Sequence, residues 1–310
     1  MIYTLTLNTA IDMNIITKDL IPNKVNRTEH VEYSPNGKGV NVSMLLKHNN
    51  MPSVIMGVFG GFTGHYIVDE LKKQNHKVLP IWVEEPTRIN VFAHEGQNEF
   101  KLVSPGAFVA EQKQEEIIQL LKSLTDMDYL VISGSLPPGI YESFYDRICQ
   151  LCKRKGTEII LDISSPYLKS LLKYEPLLIK PNEDELNDIF DLTVSISDKN
   201  QIIASMNYLH NLGAKNVLLT LGDKGLYFSS GSNVYYCEAP EIKVISSACA
   251  GDACLGSFLS AWLNEKSIES ALRLGSATGA NVAESNGLGD FKKVNEYITK
   301  INVTKIRGDL

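Results

Sequence analysis

The residues with the clearest chemical potential are Ala250, Gly251 and Asp252, which follow Cys249 and run directly into a helical pattern. Free backbone N–H groups at the start of a helix stabilise a phosphate or a developing oxyanion. A carboxylate is not needed to bind an anion there, but Asp252 is well placed to take a proton from an attacking hydroxyl. The alternative is that Asp252 is an ordinary cap after a glycine turn.

A second glycine-containing segment places Lys38 between Gly37 and Gly39, just before another helical pattern that includes Asn41. The glycines permit close backbone approach to a ligand, and Lys38 adds positive charge at a helix amino terminus. The spacing is not that of the nucleotide-binding P-loop, Gly-x-x-x-x-Gly-Lys-Ser/Thr. An ordinary glycine-rich turn remains the alternative.

Three more polar residues lie at the ends of predicted strands. Asp12 follows the first strand, where a carboxylate can hold sugar hydroxyls through bidentate hydrogen bonds. Arg88 opens a stretch of alternating polar and apolar residues, and its planar guanidinium suits phosphate. Ser135 lies in a loop shaped by glycine and prolines, where its hydroxyl can bind a substrate. Each has a structural alternative: a turn residue for Asp12, a surface ion pair for Arg88 and a structural turn for Ser135.

Asn182 and Glu185 begin a helix after another predicted strand, and they face the same way one turn apart. A carboxylate in this position can order Mg²⁺ through water, because Mg²⁺ dehydrates reluctantly. A capping pair at the start of the helix explains the pattern equally well.

The elements that must position these residues alternate between short β-rich apolar runs and helical patterns. This alternation predicts an α/β fold with a doubly wound, mostly parallel sheet and helices on both faces. Ligands of such sheets bind outside the carboxyl ends of the strands. Residues 13–33 and 88–103 break the rhythm and alternate polar with apolar residues. They predict a small antiparallel β lid, whose exposed face could pair with a second subunit.

Composition excludes several classes of protein. The chain has 310 residues, 44% of them hydrophobic, and a net charge of −6, with no basic stripe for nucleic acid. No apolar run reaches membrane-spanning length and no signal peptide is evident, so we expect a cytoplasmic protein. The histidines lack metal-ligand spacing. Cys149 and Cys152 form a Cys-x-x-Cys within an amphipathic stretch, which favours core packing over zinc or redox chemistry.

Together these segments resemble the signatures of the ribokinase-like (PfkB) carbohydrate kinases. Residues 248–252 resemble Thr-Gly-Ala-Gly-Asp with Cys249 at the first glycine, and residues 36–39 resemble Gly-Gly-Lys-Gly with Asn36 at the first glycine. Thr-Arg-Ile-Asn at 87–90 resembles the 1-phosphofructokinase subgroup, to which tagatose-6-phosphate kinase is very near. Residues 180–186 resemble Lys-Pro-Asn-x-x-Glu-Leu, and residues 220–225 resemble Ser/Thr-Leu-Gly-x-x-Gly.

The resemblance implies a single ribokinase-like domain over residues 1–310 that uses ATP and Mg²⁺ to phosphorylate a ketohexose phosphate. It favours fructose 1-phosphate as substrate, giving fructose 1,6-bisphosphate, with tagatose 6-phosphate and tagatose 1,6-bisphosphate as the alternative. It implies that Asp252 is the base and that Cys249, Ala250 and Gly251 form the anion hole. The residues implied to face the sugar phosphate are Asp12, Gly37, Lys38, Gly39, Asn41, Arg88 and Ser135. Those implied to face the nucleotide are Lys180, Asn182, Glu185 (which also holds Mg²⁺ through water), Thr220, Gly222, Gly225 and Asn281. A homodimer joined through the lid is expected.

Two functions of other classes are alternatives to this one. The departures at Asn36 and Cys249 could mark a non-catalytic sensor of sugar phosphate, although a pure binder gains nothing from a carboxylate at Asp252. A dinucleotide-binding oxidoreductase is rejected, because Gly-x-Gly-x-x-Gly is absent after the first strand. The position of Cys249 beside a helix amino terminus predicts a lowered thiol pKa and a reactive thiol that ATP protects. Alternatively, the thiol packs behind the turn and is inert.

Overall fold

The computed structural model describes residues 1–96, 98–192, 194–195, 198–285 and 287–306. Within these residues the strands are β1 (Ile2–Thr6), β2 (Ala10–Thr17), β3 (Thr28–Asn36), β4 (Ser53–Gly60), β5 (Lys77–Val83), β6 (Arg88–Glu95), β7 (Asn98–Leu102), β8 (Tyr129–Ser133), β9 (Glu158–Asp162), β10 (Leu178–Ile179), β11 (Val217–Thr220), β12 (Leu226–Ser229), β13 (Val234–Cys237) and β14 (Val303–Ile306). The helices are α1 (Lys38–His48), α2 (Gly61–Lys73), α3 (Glu111–Ser123), α4 (Ser143–Lys155), α5 (Leu168–Leu171), α6 (Glu183–Phe190), α7 (Lys199–Asn211), α8 (Ala250–Trp262), α9 (Ile268–Ala283) and α10 (Val294–Lys300), with short 3₁₀ turns at Leu172–Tyr174 and Gly222–Lys224.

The larger sheet has ten strands in the described part of the chain, in the order β14-β13-β12-β11-β10-β9-β8-β1-β4-β5. The strands from β5 to β11 in this order pair in parallel, and β12, β13 and β14 add an antiparallel edge. The mostly parallel sheet predicted from the alternating pattern is therefore confirmed.

Successive residues of the central strands belong to opposite faces of this sheet, as the two-residue period of a strand requires. In β8, Leu130 and Ile132 join a core with α3, α4 and α7, whereas Val131 joins a core with α1, α8 and α9. Because both faces are buried under helices, the strands read as continuous apolar runs rather than as alternating patterns. The prediction of helices on both faces is confirmed.

A separate sheet of four strands, β3-β2-β6-β7, forms the predicted lid sheet. Its outer pairs are antiparallel, but its central pair, β2 with β6, is parallel. The reason is that β2 and β6 each leave the carboxyl end of a strand of the parallel sheet, β1 and β5, after only a few residues. This small sheet carries large exposed apolar side chains, namely Tyr33, Phe100 and Leu102, with Val103 just beyond its last strand.

The carboxyl ends of β1, β8, β9, β10 and β11 lie side by side, because these strands are neighbours in parallel. The loops that follow them carry most of the polar residues singled out from the sequence. A further bridge between Asn182 and Thr220 extends the pairing beyond the ends of β10 and β11. Among the residues described, the helices fall short of the length and apolar character that a membrane span needs.

Candidate active site

Asp252 lies in the first turn of α8 and is only 7% exposed. Asn41, from α1, donates a hydrogen bond of 2.8 Å from Nδ2 to its Oδ2. Burial raises the pKa of the Asp252 carboxyl to about 7, reinforced by the charge of Asp162 and opposed by Lys38, Asn41 and Lys180. A buried carboxylate whose pKa lies near neutrality is suited to act as a general base.

The amino terminus of α8 is formed by a residue in an unusual backbone conformation. Cys249 has φ of +62°, the left-handed region that favours glycine, and within the described chain its side chain makes no capping hydrogen bond to the helix. Holding a non-glycine residue in this region costs roughly 1–3 kcal/mol. The N–H groups of the first turn have no partners within the helix, so they are available to an anion.

Asp162, at the carboxyl end of β9, is a central residue of the site that sequence reasoning missed. Its Oδ1 lies 3.0 Å from Nζ of Lys180 and 3.6 Å from Nζ of Lys38. The two lysines hold the pKa of this fully buried carboxyl below its usual range although burial opposes them. An acidic residue at a strand end, between Leu161 and Ile163, was the signal that could have found it. Asp162 thus gathers two ammonium groups close to Asp252.

The carboxylate of Asp12 in β2 lies between two amides from the flanking strands. Asn90 in β6 donates to Oδ1 at 2.9 Å, and Asn36 in β3 donates to Oδ2. Burial raises the pKa of Asp12 to about 6, opposed by these amides and by the charge of Arg88. Sequence reasoning assigned no role to Asn90, although it stands in the Thr-Arg-Ile-Asn segment.

Arg88 lies at the start of β6 in the small sheet, where its guanidinium donates two hydrogen bonds to backbone carbonyl groups. It donates from Nη2 to the carbonyl of Asn8 at 3.0 Å and from Nη1 to that of Ser104 at 2.9 Å. Its Nε is buried and has no hydrogen-bond partner among the described residues. Arg88 therefore ties the lid to the loop after β1, and it retains donors for a ligand.

Gly37 and Gly39 are required by packing against β1. A Cβ on Gly37 would lie 2.7 Å from Cγ2 of Thr6, and one on Gly39 would lie 2.6 Å from Thr6 Oγ1. Gly37 also has φ of +144°, which L residues rarely adopt. The glycines therefore let α1 begin directly against the strand, which places Lys38 and Asn41 in the site.

Ser135 lines an open cavity of about 630 Å³ formed by the loops after β8 and β9. Its hydroxyl accepts a hydrogen bond of 3.3 Å from Nδ2 of Asn8. Ser164, on the opposite loop, lines the same cavity and accepts a hydrogen bond of 3.3 Å from Lys38. The cavity therefore opens beside the cluster of lysines.

Asn182 and Glu185 form the capping pair that was the alternative reading of their spacing. Asn182 Oδ1 accepts from the Glu185 amide at 2.8 Å, and Glu185 Oε2 accepts from the Asn182 amide at 3.0 Å. Glu185 Oε1 also accepts from Ser164 at 2.5 Å. No group of three or more acidic, cysteine or histidine side chains in the described residues could cage a metal ion. A carboxylate such as that of Glu185 has the oxygen donors that suit Mg²⁺ bound through water.

The remaining residues that the resemblance assigns to the nucleotide differ in their surroundings. Thr220 neighbours Asn182 through the bridge described above. Gly222 lies in the turn that follows it, and a Cβ at this position would have no atom within 4 Å. Gly225 serves the turn itself, because a Cβ there would meet the carbonyl of Cys237 at 2.2 Å. Asn281 is 2% exposed, and its side-chain Oδ1 accepts a hydrogen bond of 3.1 Å from the backbone amide of Lys293. This oxygen therefore anchors the segment that leads into α10.

The structure reverses the prediction of a lowered pKa for the Cys249 thiol. Burial, followed by the charges of Asp252 and Asp12, raises the pKa of this thiol well above its usual range. Burial is the largest of these causes, and it is not visible from the position of Cys249 beside the helix. Cys149 and Cys152 are both buried in the core, as expected from their amphipathic stretch.

We therefore expect Cys249 to react slowly with iodoacetamide in the native protein, at a rate comparable with those of Cys149 and Cys152. A neutral thiol is a poor nucleophile. Mass-spectrometric mapping of the labelled cysteines over time, with and without MgATP, measures this. Rapid labelling of Cys249 that MgATP suppresses would contradict the raised pKa and restore the reading of a reactive thiol.

A family model, named proteins and solved structures all relate the chain to sugar-phosphate kinases. A model of the pfkB family carbohydrate kinases matches residues 5–294. D-tagatose-1-phosphate kinase from Klebsiella oxytoca is 53% identical over 306 residues, which cover 99% of this chain and 100% of that one. 1-Phosphofructokinase from Bacillus subtilis (strain 168) is 31% identical over 306 residues, with the same shares covered. The structure of phosphofructokinase-2 from Escherichia coli in complex with potassium has a TM-score of 0.89 at 26% identity, covering 96% of this chain and 98% of that one. The chain therefore belongs to the pfkB family of carbohydrate kinases.

Proposed function

We propose that the protein transfers the γ-phosphoryl group of ATP to the C6 hydroxyl of a ketohexose 1-phosphate. D-tagatose 1-phosphate is the first candidate, because the relative of that activity from Klebsiella oxytoca is 53% identical. D-fructose 1-phosphate, which the sequence motifs favour and which differs only at C4, is the second. The products are the corresponding 1,6-bisphosphates. Tagatose 6-phosphate remains an alternative acceptor, phosphorylated at C1.

The observation that carries this proposal is the environment of Asp252. Its carboxylate is buried at the start of α8, is held by Asn41 and has a pKa of about 7. It takes the proton of the acceptor hydroxyl as the oxygen attacks the γ-phosphorus. Phosphoryl transfer otherwise requires positioning and charge neutralisation more than covalent chemistry.

Charge neutralisation falls to the groups around Asp252. The N–H groups of Cys249, Ala250 and Gly251 bind the equatorial oxygens of the transferring phosphoryl group. The ammonium groups of Lys38 and Lys180, which Asp162 holds together, oppose the negative charge from the other side. In this proposal Lys38 acts on the transferring group more than on the phosphate that the sugar already carries.

The carboxyl ends of the parallel strands form a row, and in this proposal the sugar phosphate binds at one end of the row and ATP at the other. Asp12 accepts hydrogen bonds from the sugar hydroxyls, while Arg88 and Ser135 bind the phosphate of the sugar. Thr220 and Gly222 lie against the phosphates of ATP. Mg²⁺, when bound, neutralises the charge of these phosphates, and Glu185 orders its water shell.

A substrate panel tests the proposal. The purified protein is incubated with MgATP and, in turn, D-tagatose 1-phosphate, D-fructose 1-phosphate, D-fructose 6-phosphate and D-tagatose 6-phosphate, and release of ADP is followed. We expect the highest kcat/KM with the 1-phosphates. ADP release that is the same with and without every sugar phosphate would contradict the proposal. Binding of a sugar phosphate without turnover would instead support the alternative of a sensor.

We expect Arg88→Ala to raise KM for the sugar phosphate sharply while changing kcat little. Its effect on any activity with the unphosphorylated ketose should be small, because that substrate offers no phosphate to the guanidinium. Steady-state kinetics with both substrates measures the difference. Equal losses on the two would show that Arg88 acts only through the carbonyls of Asn8 and Ser104.

The small sheet β3-β2-β6-β7 is proposed to join two subunits as well as to cover the sugar. Its apolar side chains Tyr33, Phe100 and Leu102 are each at least 45% exposed, which is unusual for a monomer. We expect a dimer in sedimentation equilibrium at micromolar concentration. Leu102→Asp should shift it toward the monomer, whereas Phe62→Asp, at a 74% exposed position on α2, should not. A wild-type monomer with full activity would contradict the interface.

A further inference from the structure

We propose that Asn36 and Cys249 act as a pair that fixes the Asp12 carboxylate and thereby sets the selectivity between ketohexose 1-phosphates that differ at a single hydroxyl. The inference rests on the proposed function, because it assigns the determinant of substrate choice at that same site. The two side chains have a positioning role, since they act through Asp12, and this role is separate from that of the Cys249 backbone N–H in the anion hole.

The pair is defined by a direct contact between two distant segments. Asn36 Nδ2 lies 3.4 Å from Sγ of Cys249, although the residues are 213 positions apart in the chain. Asn41 Nδ2 lies 3.3 Å from the same sulfur. Asn36 and Cys249 are also the two positions where the chain replaces a glycine of the signatures that it resembles. Glycine at either position would abolish the contact.

Through Asn36 the pair connects the sugar end of the site with the base. Asn36 donates from Nδ2 to Asp12 Oδ2, and its Oδ1 accepts from Asn41 Nδ2 at 3.2 Å. Asn41 in turn donates to Asp252 Oδ2 at 2.8 Å. A displacement of Asn36 therefore changes the surroundings of both carboxylates.

The consequence for selectivity follows from the geometry of a carboxylate. Asn90 occupies Oδ1 of Asp12 and Asn36 occupies Oδ2, from strands on either side of β2. Donors on both oxygens prevent rotation of the group, so its remaining lone pairs point in fixed directions. An acceptor whose hydroxyl has the opposite configuration then leaves a buried polar group unpaired, which is the strongest source of discrimination between similar substrates.

The backbone gives independent support. Cys249 has φ of +62°, a conformation that glycine adopts without the strain that a cysteine carries. A cysteine at this position is therefore consistent with a role for its side chain. Because the pKa of the thiol is raised, the sulfur stays neutral and serves as a weak hydrogen-bond acceptor for the two amides.

The test compares Asn36→Gly, Cys249→Ala, Cys249→Gly and the double variant Asn36→Gly/Cys249→Gly. Cys249→Ala keeps the backbone strain and removes the sulfur, whereas Cys249→Gly removes both. Asn50→Gly is the matched control, because Asn50 is exposed, outside the site and has φ of +60°. The ratio of kcat/KM for D-tagatose 1-phosphate and D-fructose 1-phosphate is measured for each protein. Binding of both sugars without nucleotide is measured by calorimetry as a function of pH.

We expect Asn36→Gly to reduce the selectivity ratio about tenfold, and the cysteine variants to reduce it by smaller factors in the same direction. The double variant should lose little more than Asn36→Gly, because the two residues act as one unit. The pH dependence of sugar binding should shift upward in Asn36→Gly, since the Asn36 amide lowers the pKa of Asp12. A role in stability alone would not move this titration.

An unchanged selectivity ratio and an unchanged pH dependence in folded Asn36→Gly and Cys249→Ala would contradict the proposal that this pair of residues sets the selectivity. So would fully additive losses in the double variant. Failure of the proposed function gives a different result, because the wild-type protein would then phosphorylate neither sugar. In that case the calorimetric titrations still decide the inference: loss of the preference between the two sugars in Asn36→Gly supports it, and its retention contradicts it.

Discussion

Asp252→Asn is expected to lower kcat by roughly 10²–10⁴-fold, the usual cost of losing a general base. Asparagine matches the carboxylate in shape and can still accept the hydrogen bond from Asn41, so KM for the sugar phosphate should change little. In the wild-type protein, kcat/KM should fall as the pH drops through about 7, because the base must be ionised to accept a proton. The variant should lose this acid limb.

Steady-state kinetics over a range of pH values around neutrality measures both effects. Asp69→Asn, at an exposed position of α2, is the control and should behave as the wild-type protein does. Near-normal turnover of Asp252→Asn would remove Asp252 from the role of base. A retained acid limb with low turnover would assign the titration to another group, of which Asp12 is the first candidate.

Lys180→Met is expected to destabilise the protein by ~3–5 kcal/mol at neutral pH, the usual cost of breaking a buried ion pair. The side chains of Lys180 and Asp162 are 5% and 0% exposed, so removal of Lys180 leaves a buried carboxylate with only the more distant Lys38. In the wild-type protein, the pKa of Asp162 is lowered and that of Lys180 is raised by their attraction. Without Lys180, burial raises the pKa of Asp162.

The loss of stability should therefore shrink as the pH falls, because protonation of Asp162 then removes the unpaired charge. Urea unfolding at several pH values measures the free energy of unfolding. Lys38→Met, at a lysine that is 33% exposed and 3.6 Å from Asp162, should cost clearly less. The double variant Lys180→Met/Asp162→Leu should recover much of the stability. A cost that does not depend on pH, or that equals the cost of Lys38→Met, would contradict this account.

The sheet could be predicted from the sequence because both of its faces are buried. Burial on both faces requires continuous apolar runs such as residues 159–161 of β9, and these alternate with helical patterns that are long enough to recognise. The same logic placed Asn182 after the end of a strand, where parallel strands bring such residues to one edge, whereas Asp12 lies within β2 of the small sheet. The small sheet was also recognisable, since its strands alternate polar and apolar residues.

Other features of the site depend on contacts that no local pattern records. Asp162 reads as the last residue of a strand, and only the fold shows that two lysines converge on it. The position of Cys249 at a helix amino terminus predicts a lowered thiol pKa, but burial by the surrounding fold, together with the charges of Asp252 and of Asp12 in β2, raises it. The contact between Asn36 and Cys249 links segments that lie 213 positions apart.

Only Gly37 separates the end of β3 from the start of α1, so a rotation of the small sheet at this point would act directly on α1. Nine residues of extended strand reach about 30 Å, so a rotation of about 10° at Gly37 sweeps the far end of β3 through about 5 Å. Asn36, next to the pivot, moves by only a fraction of an ångström in the same rotation. Asp12 pairs with Ser34 of β3 in the same sheet, so it moves together with Asn36. A displacement of several ångströms at the tip of the sheet would therefore change the distance between Asp12 and Asp252 by only a small amount.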